Sequence, residues 1–135
     1  MRIMAIDYGD RRTGVAISDL TGTLAGEAWV IDEWNAERLA DKIAEEAEKR
    51  SVDKIVLGYP VNMDGSRGPR AEKSLAFSEL LRERTGLTPV MWDERRTTVD
   101  AHRILSENGR RGKRRKNTVD AVAATLILEA FLGSI

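Results

Sequence analysis

Ile3-Met4-Ala5-Ile6-Asp7-Tyr8-Gly9-Asp10-Arg11-Arg12-Thr13-Gly14-Val15-Ala16-Ile17-Ser18 is the stretch that decides the fold. Its first half is an apolar run closed by a carboxylate, the pattern of a mostly buried strand. Gly9-Asp10 with Arg11-Arg12 supplies a turn, and Thr13 to Ser18 reads as a second strand, so the two form a hairpin. A further turn at residues 19–22 leads to a third strand from Leu24 to Ile31. Three sequential strands joined by short turns are most simply antiparallel.

Beyond Ile31 the period changes. Asn35 is a plausible N-cap. Leu39, Ile43 and Ala47, with Ala36, Ala40 and Ala44, make one apolar stripe of a helix over residues 36–50. Lys54 to Gly58 is a short continuous apolar run, typical of a strand covered on both faces. A turn-rich loop from Tyr59 to Gly68 follows. Pro69 then suits the first turn of a helix whose core face carries Leu75, Phe77, Leu80 and Leu81, with Gly86 as its C-terminal cap. Residues 89–92 read as a fifth strand. Thr97 or Thr98 can cap a helix bearing Ala101, Ile104 and Leu105, and after a basic loop residues 118–132 form a closing helix. The order βββ-α-β-α-β-α-α predicts an α/β fold: a mixed five-stranded sheet, three antiparallel strands then parallel β-α-β units, flanked by helices.

A chain of 135 residues is expected to be a single domain over 1–135. With 41% hydrophobic and 33% charged residues it reads as globular. There is no apolar run near the ~20 residues of a membrane helix, and no signal peptide is recognisable, so a cytoplasmic protein without membrane contact is expected. The absence of cysteine removes disulfides and thiolate metal sites, and one histidine, His102, argues against a His-based zinc site. The formal net charge of +0 hides an asymmetry: residues 1–109 carry −4 and residues 110–135 carry +4. The cations of the second segment all lie in Arg110-Arg111-Gly112-Lys113-Arg114-Arg115-Lys116. Such a run is either a solvated loop or a contact for a polyanion; its position just before Asp120 favours the second reading, with Lys113, Arg114, Arg115 and Lys116 on a phosphate backbone.

Asp7 closes the first strand, Asp93-Glu94 closes the fifth, and Asp120 stands near the start of the last helix. Each alone has an ordinary explanation: Asp7 could cap a turn, Asp93 and Glu94 could be an exposed pair, and Asp120 could complement a helix N-terminus. Ligands of open α/β sheets gather beyond the carboxyl ends of the strands. If the first, fourth and fifth strands are neighbours, Asp7 and Glu94 share one edge, and the small residues Ala121, Ala123 and Ala124 let Asp120 approach it. Three carboxylates in one place call for a cation, and oxygen donors select Mg²⁺ or Mn²⁺, whose common use is phosphodiester hydrolysis. Arg95 can grip a phosphate or pair with Asp93. Arg11 and Arg12 lie beside Asp7 and are further nucleic-acid contacts. Asn62 and Asp64 either make an Asx-turn or shape a substrate groove. The tryptophans Trp29, Trp34 and Trp92 do not interleave with the basic run, which gives base stacking little support.

Together residues 3–19, the loop Gly58-Tyr59-Pro60-Val61-Asn62-Met63-Asp64-Gly65-Ser66, the triplet Asp93-Glu94-Arg95 with Thr97-Thr98, and the basic run leading to Asp120-Ala121-Val122-Ala123-Ala124 resemble the YqgF/RuvX family across essentially the whole chain. That family is described both as Holliday junction resolvases and as nucleases of the small-subunit ribosomal RNA precursor. The resemblance implies a ribonuclease H-like fold and acidic active-site residues at Asp7, Glu94 and Asp120. It also implies pre-16S rRNA processing in the cytoplasm, with structured RNA, branched DNA and ribosomal precursor particles as partners and a monomer or weak homodimer as the working form. Two positions depart from the pattern: Tyr59, where Leu is more common, and Ala123, where related resolvases carry a fourth acidic residue. Alternatives outside the nuclease class are a non-catalytic nucleic-acid-binding assembly factor and a nucleotide-binding regulator of the actin-like branch.

Overall fold

The computed structural model describes residues 1–60, 64–94 and 112–135; the side chains of residues 112–119 lie outside that description. The helix expected after Thr97, together with Arg95 and Asn62, also lies outside the described residues. Five strands are present: β1 (Ile3–Asp7), β2 (Arg12–Ser18), β3 (Ala25–Asp32), β4 (Lys54–Tyr59) and β5 (Val90–Asp93). The described helices are α1 (Ala36–Lys49), α2 (Pro69–Thr85) and α3 (Gly112–Ser134). The strands form one sheet in the order β3-β2-β1-β4-β5. β2 is antiparallel to both β1 and β3, while β4 is parallel to both β1 and β5. The expected mixed sheet is therefore the observed one.

Strand alternation sorts the core into two halves. Met4, Ile6, Val15, Ile17, Ile55 and Leu57 face α1 and α2, where they meet Leu39, Ile43, Phe77 and Leu81. Ile3, Ala5, Ala16, Val56 and Trp92 face α3, where they meet Ala124, Ile127, Leu128 and Phe131. Asp7 continues the Ile3–Ala5 row, so its side chain is on the α3 face of the sheet.

The helix ends follow their local chemistry. Asn35 Oδ1 accepts the Arg38 N–H at 3.0 Å, capping α1. Gly86 takes φ +77°, a left-handed conformation that glycine adopts without strain, and its N–H donates to the Arg82 carbonyl at 2.9 Å.

Two expectations are corrected. The buried stripe of α2 is Ala71, Ser74, Phe77 and Leu81, and Leu75 and Leu80 are only partly buried. At 100° per residue those two leucines fall on the flanks of the stripe, not on its centre. The second correction concerns α3, which begins at Gly112, so Lys113, Arg114, Arg115 and Lys116 belong to its first turns instead of a loop. Cations at a helix N-terminus are unfavourable by about 0.3–1 kcal/mol each. Lys and Arg are nonetheless among the better helix formers, and no proline interrupts the segment. Asp120 thus stands a little over two turns into the helix. Among the described residues, no helix is long and apolar enough to cross a membrane.

Candidate active site

Asp7 is the last residue of β1, and both neighbouring strands present a glycine beside it. Gly14 on β2 is its antiparallel partner. Gly58 on β4 follows Leu57, the parallel partner of Ile6. The two glycines leave room for two other carboxylate-bearing residues. A Cβ at Gly14 would overlap the main-chain carbonyl of Asp120 and stand 3.3 Å from Ala124 Cβ. A Cβ at Gly58 would stand 2.6 Å from Glu94 Oε1 and 2.9 Å from Ile127 Cδ1. Glycine is needed at both places for clearance: a bare sheet on either side of Asp7 lets α3 and the end of β5 close in.

The Glu94 carboxylate lies over Gly58, next to Asp7, near enough for a hydrogen bond between the two carboxyls to be one cause of the Asp7 shift. Burial pushes the Asp7 carboxyl well above the usual range, and the hydrogen bond and negative charge of Glu94 push it further, with the Arg70 guanidinium opposing. Burial also raises Asp120, the charge of Asp7 adds to it, and Arg12 opposes. Asp7 is therefore the centre of the group, in contact with Glu94 and within electrostatic range of Asp120. Among the described residues, no three His, Cys, Asp or Glu side chains stand in a ready ion-holding arrangement. The donor set nonetheless has the chemistry of a hard divalent cation: partly buried carboxylate oxygens only, with the charge of Glu94 opposing ionisation of Asp7 and that of Asp7 opposing ionisation of Asp120, a cost that a positive ion relieves.

Arg12 opens β2 close enough to act on Asp120. Arg11 is exposed, and its carbonyl accepts the Glu33 N–H at 2.9 Å. Asp64 accepts from the Ser66 N–H at 2.9 Å and from Ser66 Oγ at 2.6 Å, the local turn chemistry of an Asx motif. Asp93 ends β5 opposite Tyr59. The main chain of residues 113–116 lies roughly 6–10 Å along the helix axis from Asp120, at ~1.5 Å per residue.

Arg70 is a member of this neighbourhood that reading the chain did not single out. A signal for it exists: a helix that follows a parallel strand starts at the strand's carboxyl edge, and Arg70 directly follows Pro69 at the first turn of α2. Gly58 was equally hidden, since a glycine ending a strand reads as turn chemistry.

The family model described as "RuvX: Holliday junction resolvase" matches residues 1–134. A protein of Halothermothrix orenii named "Putative pre-16S rRNA nuclease" is 46% identical over 132 residues, covering 98% of this chain and 94% of that one. One of the same name from Clostridium acetobutylicum is 44% identical over 135 residues and covers 100% of both. Among solved structures, Thermus thermophilus RuvC in complex with a Holliday junction substrate matches with a TM-score of 0.62 at 12% identity, covering 99% of this chain and 97% of that one. The fowlpox virus Holliday junction resolvase matches with a TM-score of 0.62 at 15% identity, covering 100% of both. Likeness at such low identity speaks for the fold, which is the ribonuclease H-like one.

Proposed function

The chain belongs to the RuvX family, and on that premise we propose that it is a nuclease that uses Mg²⁺ or Mn²⁺ to hydrolyse phosphodiester bonds in structured nucleic acid, its substrate being the precursor of 16S rRNA. The observation that carries the chemistry is that Gly14 and Gly58, the strand residues flanking Asp7, make room for the main chain of Asp120 and the carboxylate of Glu94 at one sheet edge. The pre-rRNA assignment is supported by the names of the relatives.

In this reading Asp7, Glu94 and Asp120 would hold the cation through their carboxylate oxygens. A divalent cation so held supplies Lewis-acid stabilisation of the phosphoryl oxygens and eases ionisation of the attacking water. The protein's own groups do the rest. Arg12 and Arg70, which act on the carboxylates from two sides, bind the non-bridging oxygens of the scissile phosphate. Arg11, Arg95 and the cations at the start of α3 (Lys113, Arg114, Arg115 and Lys116) follow the backbone on either side. The loop holding Asn62 and Asp64 bounds the groove. The protein works in the cytoplasm, as a monomer or weak homodimer, on ribosomal precursor particles.

Branched DNA is the second reading, favoured by the description of the family. One experiment separates the two: purified protein is incubated with pre-16S rRNA fragments and with four-way junction DNA, with and without Mn²⁺, beside Asp7→Asn. Cleavage of the RNA that needs Mn²⁺ and disappears in the folded variant is expected. Selective cleavage of the junction would move the substrate to DNA. Tight binding without cleavage of either would make the protein an assembly factor.

A further inference from the structure

Tyr8 follows Asp7, so its ring turns to the opposite face of the same sheet edge. There it stacks on Phe77, with ring centroids 4.2 Å apart and planes 5° from parallel. The pair lies in a groove of about 400 Å³ lined also by Trp34, Lys73 and Leu80, a size within the roughly 300–1,000 Å³ of ligand pockets. Trp34 follows β3, which runs parallel to β1 across β2 and so ends at the same edge. It is 70% exposed, whereas Trp29 is half-buried under the Arg50 guanidinium and Trp92 is buried against Phe131.

Lys73 and the Asp10 carboxylate both line the groove, and Arg70 stands beside them at the adjoining cleft. Lys73 Nζ lies 3.3 Å from Asp10 Oδ1 and Arg70 Nη1 lies 3.8 Å from Asp10 Oδ2, with all three side chains at least 60% exposed. Exposed pairs of this kind are weak, so a phosphate can take both cations from Asp10. Arg70 also ties the groove to the site, because its charge reaches Asp7.

We propose that this groove holds one unpaired nucleotide of the strand being cut, its base stacked on Trp34 and its phosphate on Lys73 and Arg70. The proposal rests on the nuclease reading for the identity of the strand, while the groove itself is independent of it. A flat aromatic surface beside cations is the chemistry of single-strand binding; an apolar peptide would use the rings and leave the cations idle. Stacking on Trp34 needs a base outside a duplex, which makes the subsite selective for loops, ends and junction arms. Stacking was not legible beside the basic run because its aromatic and its cations come from the β3–α1 connection and α2.

The test is an anisotropy titration of labelled oligouridine and of a blunt RNA duplex, without divalent ions, followed by tryptophan fluorescence. Wild-type protein should prefer the oligouridine, with quenching that Trp34→Ala removes. Trp34→Ala should weaken the oligouridine by about tenfold or more and leave the duplex unchanged, and Trp34→Phe should restore most of the affinity. Lys73→Ala should flatten the salt dependence by about one. Circular dichroism checks folding, which an exposed side chain should not disturb. Equal oligouridine affinity in Trp34→Ala and wild type overturns the proposal. So does self-association that Trp34→Ala abolishes while oligonucleotide affinity stays unchanged. Because nothing is cleaved in this titration, selective binding by a protein inactive with every metal would sink the nuclease reading and leave the subsite standing.

Discussion

Gly14 on β2 lies against the main chain of Asp120 on α3, so closely that a methyl group at residue 14 would overlap the Asp120 carbonyl oxygen. Gly14 is also the strand partner of Asp7. One hydrogen-only side chain thus sets how near the helix brings its carboxylate to the carboxylate of the first strand. Gly14→Ala must push α3 outward, since a backbone obstacle cannot rotate away. Overpacking of this kind costs about 1–3 kcal/mol, and turnover should fall with it as Asp120 retreats. Denaturant unfolding and turnover on one preparation check both; wild-type stability would show that the helix rides farther from β2.

Gly58→Ala should behave differently. Its obstacles are Glu94 Oε1 at 2.6 Å and Ile127 Cδ1 at 2.9 Å, both ends of rotatable side chains. The stability loss should sit near ~1 kcal/mol, at the low end of overpacking. Glu94, however, is turned away from Asp7, so divalent-ion affinity and turnover should drop by about 10–100-fold, as when a ligand loses its support. Calorimetric titration with Mn²⁺ beside a melting curve separates the two effects, and unchanged ion affinity would free Glu94 from the ligand role.

The raised Asp7 and Asp120 carboxyls make a prediction about pH. Each holds its proton more tightly in the folded protein than in the unfolded chain. Stability is therefore lost as pH rises from the unfolded value near 3.8 through the raised folded value, and is recovered as pH falls. Without divalent ions, Asp7→Asn should melt above wild type at neutral pH, the gap closing towards about pH 4. Mn²⁺ should raise the wild-type midpoint, more at higher pH because protons compete for the same oxygens, and should raise that of Asp7→Asn little. Turnover in the variant should fall by about 10³-fold or more, the loss of several kcal/mol of charge stabilisation. A wild type that gains nothing from Mn²⁺ at pH 8 would remove the cation from the site.

Arg114→Ala with Arg115→Ala tests the first turns of α3. Each phosphate contact removed should reduce the salt slope of RNA binding by about one. Anisotropy across a salt series measures it, and a slope equal to wild type would exclude these turns from the interface.

The carboxylates at the strand ends were legible because burial and alternation are local patterns, and a charged residue closing an apolar run stands out from them. The start of α3 was not. A run of cations satisfies helix propensity and offends the helix dipole at once, and only the packed helix shows which prevails. Hydrophobicity alone puts Leu75 and Leu80 in the core face of α2, yet the fully covered stripe is Ala71, Ser74, Phe77 and Leu81, with Leu80 packed at its edge. Side-chain size told nothing about which face would be covered.

By itself the amino-acid sequence determined the kinds and order of the described elements, the Asn35 and Gly86 helix ends and the choice of three candidate carboxylates, because each depends on residues a few positions apart. Only the tertiary structure decided that Asp120 and Glu94 are what Gly14 and Gly58 make room for, that Arg70 reaches Asp7, and that Trp34 meets Lys73 across a groove. Those relations join segments far apart in the chain, and their distances are set by how closely helices and sheet can pack, a quantity that no local pattern of residues encodes.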